Sequence, residues 1–263
     1  DYEGTYTKQQ TNTVNGTTTF LNQDEDENRH DDGTLYYIGT DYSFNDKNTF
    51  TAAFYRNETE DTDVTDFIYD YSSNSSIIDS TLVTDGNSKE RRSYNQLEMN
   101  YTKTYEKEGR KLTFDLQYDF YDSNMKWNVL NRKVHPIVAP NFNLRTTSTD
   151  KNNDIVIQSD YVTPLGEHSN FEVGVKLENR SVKDSFLAEE NVGGTFALVD
   201  NLNNKISYDE RIIGAYVQYG NKVGKFSYLL GLRVEDTRIN IKDEDGDFDN
   251  DSAYTNLFPT LNL

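Results

Sequence analysis

Three groupings of side chains in this 263-residue sequence are of a type that does chemistry. The first is a set of charged residues at alternate positions in segments that otherwise alternate apolar and polar: Asp115, Asp119, Asp160, Glu172, Lys176, Arg233 and Glu235, with Asp41, Glu98 and Glu178 beside them. Paired carboxylates such as Asp115 and Asp119 can share acid and base work. With 45 acidic against 26 basic residues, however, such pairs arise from composition alone. Arg233 and Glu235, two apart, read as an ion pair with neighbours rather than as substrate contacts. The second grouping is the acidic run 243–251, where Asp243, Asp245, Asp247 and Asp249 alternate. Calcium favours several carboxylates on a turning backbone, and an EF-hand loop needs glycine at its sixth position. Gly246 is fourth from Asp243, so that motif fails, and a looser surface calcium site is the most this run offers against the plainer reading of a solvated loop. Asp24-Glu25-Asp26-Glu27, with His30, Asp31 and Asp32, reads the same way. The third grouping is no grouping at all, because His30, His135 and His168 fall in three separate connections. No catalytic residue, resident metal or cofactor is expected, and the chain is not expected to be an enzyme.

Composition narrows the classes further. A net charge of −19 and a pI near 4.5 argue against nucleic acid as a partner, since neutralising phosphates takes clustered Lys and Arg in excess. Without cysteine there is neither a disulfide framework nor a thiolate zinc site. The longest apolar runs, 212–217 and 228–232, are far short of the roughly 18 residues of a transmembrane helix. A mean hydropathy of −0.85 points toward disorder, but Leu, Ile, Val and Phe together make about 23% of the chain and 19 Tyr are added to them. Asp1 is followed by neither a basic nor an apolar segment, so no signal peptide is visible.

Periodicity supplies the elements that must carry these charges. Over 95–105 and 111–121 the chain reads as two alternating arms around 106–110, with Leu97, Met99, Tyr101 and Tyr105 answering Leu112, Phe114, Leu116, Tyr118 and Phe120. Period two sustained over ten residues predicts a strand. The unit recurs at 34–44 with 48–56, at 154–162 with 170–179, and at 211–220 with 226–236, each closed by a short turn rich in Gly, Pro or Asn. Gly109, Gly166 and Gly224 recur 57 and 58 residues apart. Between hairpins lie the polar stretches 57–93, 122–153, 180–210 and 240–253, read as long loops.

Short turns on one side and long connections on the other characterise an outer-membrane barrel. Arms of about ten residues also match the length that crosses hydrocarbon at a ~45° tilt. Aromatics collect beside the short turns, at Phe44 and Phe50, Tyr105, Tyr161 and Phe171, Tyr219 and Phe226, as a headgroup girdle requires. The expectation is an all-β chain: an antiparallel up-and-down meander of about ten strands, part of a large transmembrane β-barrel, occupying 1–263 as one partial barrel domain. The polar strand faces, with the charges named above, would then line its lumen. The competing reading is a secreted β-sandwich module for adhesion or glycan binding.

The strings QSDYVTPLGEHSNFEVGVKLENR (158–180), YDERIIGAYVQYGNKVGKFSYLLGLRVEDTRINI (208–241) and NLFPTLNL (256–263) resemble the barrel domain of TonB-dependent outer-membrane receptors of the Bacteroidetes type. The resemblance rests on the combination of DYVTPL, the E-x-G-x-K strand at Glu172–Lys176, Ala215-Tyr216, the G-L-R-x-E-x-T run from Gly231 to Thr237, and Phe258-Pro259; residues 1–150 share hairpin spacing rather than motif. It implies a 22-stranded barrel closed by a plug, with outer-membrane lipid, the chain's own plug domain and the TonB energy-coupling protein as partners, and an imported ligand such as a siderophore or glycan. The plug, its energy-coupling box and about half of such a barrel have no counterpart in these residues.

Overall fold

In the computed structural model, which describes residues 1–74, 77–136, 138, 142–244 and 248–263, the chain is a single antiparallel sheet. Its strands are β1 (Tyr2–Val14), β2 (Thr17–Asn45), β3 (Asn48–Ser72), β4 (Ser80–Thr104), β5 (Lys111–His135), β6 (Phe142–Pro164), β7 (Ser169–Val192), β8 (Thr195–Leu198), β9 (Asn204–Val223), β10 (Phe226–Asp243) and β11 (Asp249–Asn262). Ten of them follow chain order across the sheet, and the short β8 pairs only with β7. The meander expected from the periodicity is therefore the fold. No second sheet packs on either face among the described residues, which removes the β-sandwich alternative.

Short turns close the four hairpins at one end of the sheet: Asp46-Lys47, residues 105–110, residues 165–168, and Gly224-Lys225. Gly224 sits at φ +62°, and a Cβ on Gly109, at φ +76°, would also touch Pro164 Cγ at 3.0 Å, so both turns depend on glycine. At the opposite end the connections are tighter than expected. β3 runs on to Ser72 and β4 starts at Ser80, so most of 57–93 is strand rather than loop; the same holds for 122–153, 180–210 and 240–253. The hairpin arms are thus the proximal halves of strands 18 to 29 residues long in β2–β7, β9 and β10.

The ladders β5–β6, β6–β7, β7–β9 and β9–β10 run without a register shift, so parity is preserved along each strand. Near the short turns most apolar side chains, and nearly all the large ones, share one face. One row of cross-strand partners there reads Phe54, Leu97, Tyr118, Ile155, and the rows nearer the turns include Ile157, Leu177, Ile213 and Val173, Val217, Leu232. This band lies open to the surroundings: Ile38 is 71% exposed, Phe44 61% and Leu261 63%. A face so apolar and so uncovered is suited to lipid. Following the first row onward leads out of the band to Asn179, Arg211 and Arg238. The band therefore slides toward the short turns from strand to strand, as strands tilted to the membrane normal require.

Farther from the short turns the apolar phase reverses. On β5 Met125, Trp127 and Val129 take the face opposite the band, and so do Val182, Phe186 and Ala188 on β7 and Ile239 and Ile241 on β10. The buried hydrophobic residues Ala53, Val129 and Ala188 all belong to that opposite face. On these strands the halves beyond the bilayer meet water on the outside, and their apolar side chains turn to the sheltered side; on β3 Val64 and Ile68 keep the band face.

Candidate outer-membrane wall and its polar face

All seven charged positions singled out in the sequence, Asp115, Asp119, Asp160, Glu172, Lys176, Arg233 and Glu235, stand on the face opposite the apolar band. The alternation that pins Leu116 to the band forces Asp115 and Gln117 to the other side. The structure ties most of these charges to partners on the sheet. Asp119 accepts hydrogen bonds from Tyr94 Oη at 3.1 Å and Gln117 Nε2 at 2.7 Å, and Asn100 Nδ2 donates to Asp115. Lys176 Nζ is 2.9 Å from Glu178 Oε2, and Arg233 pairs with Glu235 on its own strand.

Asp160 and Glu172 are brought together by a residue the sequence reading did not place in the site. Tyr216 Oη donates toward Asp160 Oδ1 at 2.6 Å and toward Glu172 Oε1 at 2.5 Å, so one hydroxyl proton serves two acceptors on adjacent strands. Its ring lies across Gly174, its direct cross-strand partner. A Cβ on Gly174 would come within 2.2 Å of Asp160 Oδ1 and 2.3 Å of Tyr216 Cε1, so this glycine is a seat for the ring. Arg180 is the other omission: it donates to Asp154 at 2.8 Å and contacts Glu178 at 3.3 Å. Parity carried part of the signal, since both fall at polar-face positions, and Arg180 stands directly between Asp154 and Glu210.

Of the expected metal candidates only Asp243 and Asp249 lie within the described residues. Asp245 and Asp247 lie outside the described residues; Asp243 accepts the Phe248 backbone N–H at 3.1 Å, and Asp249 stands 3.6 Å from Lys242. Among the described residues no group of three or more His, Cys, Asp or Glu side chains is placed to hold an ion. The run Asp24–Glu27, expected as a solvated loop, is part of strand β2, whose alternation sends Asp24 and Asp26 to one face and Glu25 and Glu27 to the other. His30 contacts Asp1 and, at 3.0 Å, Asp32, while His135 ends β5 and His168 sits in a short turn. What these groups can do together is electrostatic. A polar face holding mostly carboxylates presents a negative field and disfavours free anions beside it.

Beyond the membrane the charges interact differently. Lys89 and Arg91 both donate to Glu60, which holds its carboxyl below the usual range. On the opposite face, desolvation and the facing carboxyl of Asp184 push Asp150 up.

No curated protein sequence matches the chain. Among solved structures it is similar to the ferric citrate transporter FecA in the unliganded form, at 10% identity and a TM-score of 0.35, covering 98% of this chain and 41% of that one. It is also similar to the ferric yersiniabactin uptake receptor FyuA from Yersinia pestis, at 8% identity and a TM-score of 0.27 over 98% and 59% of the two chains. A third is the outer membrane protease OmpT from Escherichia coli, at 11% identity and a TM-score of 0.23 over 92% and 94%. This chain thus spans less than half the length of the ferric citrate transporter, and overlaps this slight carry no argument about activity. The match to the outer membrane protein beta-barrel family covers residues 103–263, more than half of the chain and all of its hairpins from β5 onward. With an uncovered apolar band on one face and a hydrogen-bonded polar face behind it, the chain belongs to the outer membrane protein beta-barrel family.

Proposed function

We propose that this outer-membrane wall is the barrel portion of a TonB-dependent receptor, for energy-coupled uptake of a nutrient such as a siderophore or glycan. The observation that carries the reading is the organised polar face behind the lipid-facing band, together with the motifs at 158–180, 208–241 and 256–263 that resemble such receptors. In this reading Asp115, Asp119, Asp160, Glu172, Lys176, Arg233 and Glu235 line the lumen. The pairs and the Tyr216 bridge keep their side chains against the wall, leaving the passage clear for a plug or cargo. β1 and β11 are not paired with each other, an arrangement that suits a segment of a wide wall. The plug and the contact with the energy-coupling protein would come from parts outside these residues.

The test is uptake in cells carrying the full receptor, with labelled ferric chelates and oligosaccharides as separate substrates. Accumulation of one class that stops when the proton-motive force is collapsed supports the proposal. Uptake of small solutes that persists without energy identifies a passive pore and overturns it.

A further inference from the structure

We infer that the outward wall beyond the apolar rim is the surface by which one copy of this chain associates laterally with another, the acidic sector on β1–β3 of one copy meeting the basic sector on β6–β10 of the next. The inference rests on how charge is distributed along that wall. Beyond the apolar rim, the band-face positions of β1–β3 hold eight carboxylates and one guanidinium, Arg56. The same positions on β4–β7, β9 and β10 hold eleven bases and five acids, in a chain where acids outnumber bases 45 to 26. The edge strand β11 adds Asp249, 3.6 Å from Lys242, and Asp251, which accepts a hydrogen bond from Asn240.

Each sector contains a like-charge pair. Asp26 stands directly opposite Asp66, and Lys151 directly opposite Lys183. Side chains so placed have their Cβ atoms roughly 5 Å apart, and like charges there are destabilising. None of the four makes an ion pair or a side-chain hydrogen bond among the described residues, although Asp122 faces Lys151 on the next strand. Both pairs border open grooves, of about 450 Å³ beside Asp26 and Asp66 and about 390 Å³ beside Lys151 and Lys183. The acidic groove also has an apolar lining, Val64. Val64 and Ile68 stay on the band face at 52% and 44% exposed, whereas Ile239 and Ile241 of β10 turn inward. A lysine fits such a lining, because its methylene stem packs on apolar surface while its ammonium reaches a carboxylate.

Copies of one chain in the outer membrane stand upright in the same sense, so each presents both sectors at a fixed height. Counted outward from the rim residue of its own strand, Asp26 lies ten positions past Tyr36 and Val64 ten past Phe54, while Lys183 lies six past Leu177 and Lys242 eight past Val234. At a ~45° tilt those offsets differ by roughly 5–9 Å along the membrane normal, within the reach of facing lysine and aspartate side chains. The two sectors are distinct patches of one wall, so the contact is head-to-tail and either propagates as a row or closes as a ring. Charge complementarity thus selects a second copy as the occupant, and the inference does not depend on what the barrel transports.

The experiment uses two differently tagged copies of the full-length protein, co-expressed and captured through one tag from outer membranes in mild detergent. Wild type is expected to bring down wild type. D26K/D66K and K151E/K183E, each expressed by itself in both tagged forms, lose that co-capture about tenfold because like sectors then meet. Co-expressing one with the other restores it, and so does a chain carrying all four changes, since acid again faces base. Heat modifiability identifies the variants that are folded barrels, and the neutral pairs D26N/D66N and K151Q/K183Q give an intermediate loss where a reversal does not fold. A wild type that captures no second copy overturns the inference. So does co-capture unchanged in the reversed or neutral pairs, a loss that neither the mixture nor the fourfold swap restores, or capture of another protein in place of a second copy.

Discussion

Along β5, from Leu112 to Phe120, the band-face side chains are Leu, Phe, Leu, Tyr and Phe, and the opposite face holds Thr, Asp, Gln and Asp. From Asp122 to Leu130 the same strand in the same unbroken ladder puts Asp, Asn, Lys and Asn on the band face before Leu130, and turns Met125, Trp127 and Val129 the other way. Backbone hydrogen bonding is identical in the two halves; the surroundings are not. In the first half the outside is hydrocarbon and the polar groups retreat behind the wall. In the second half the outside is headgroup and water, and the arrangement inverts. The ladder thus tolerates either polarity, and the medium decides which side chains face it.

The comparison can be broken most directly at the middle of the band. In the intact barrel, Leu116→Arg sets a charge against hydrocarbon and is expected to cost roughly 2–4 kcal/mol, while Asp115→Arg and Gln117→Arg fold nearly as well as the parent. Heat-modifiable barrel recovered in bilayers measures this, and equal tolerance at the three positions would deny that Leu116 meets lipid. In the distal half the order should invert: Val129→Arg, at a site only 7% exposed, is expected to cost about 2 kcal/mol, and Asn128→Arg to stay within about 0.5 kcal/mol. Denaturant unfolding of both variants decides it, and a costlier Asn128→Arg would erase the inversion.

A third test sharpens what the polar face of the membrane half is made of. Gly174→Ala drives a methyl group into Asp160 and the Tyr216 ring and is expected to cost about 1–2 kcal/mol, a penalty that Tyr216→Ala in the same chain partly relieves. Additive losses would mean the two do not meet. The smallest effect concerns pH. Asp150 has a raised pKa, so its folded form favours the proton; the resulting penalty is absent in acid and present once pH rises through the folded value. Asp150→Asn is expected to raise the melting temperature slightly at pH 7 and to leave it unchanged near pH 3. A gain of equal size at both would assign the effect to something other than charge.

How far the sequence could be read follows from the same inversion. The membrane halves were legible because an apolar residue at every second position is visible without knowing the surroundings. Past Phe120, Ile155 and Leu177 the alternation changes phase and weakens, and segments such as 122–135 then look like polar loop although they are strand. A search for alternation of either phase would have joined Met125, Trp127 and Val129 to β5. The site was legible in part. Parity put Asp160 and Glu172 on one face, but the register that brings Tyr216 to both depends on the turn that closes the β6–β7 hairpin and on the connection that carries the chain from β7 to β9, and so on three strands at once.

The order of the strands has a kinetic meaning. Each long strand pairs with its neighbours in the chain, apart from β8 set aside between β7 and β9. Joining any strand to the growing sheet therefore closes a loop no longer than one connection, and the entropy lost at each step does not grow with the number of strands already in place. A sheet of this topology can lengthen hairpin by hairpin, from whichever hairpin forms first, with local contacts setting the pace. A strand that fails to dock then halts the growth at its own position and leaves the strands already paired intact.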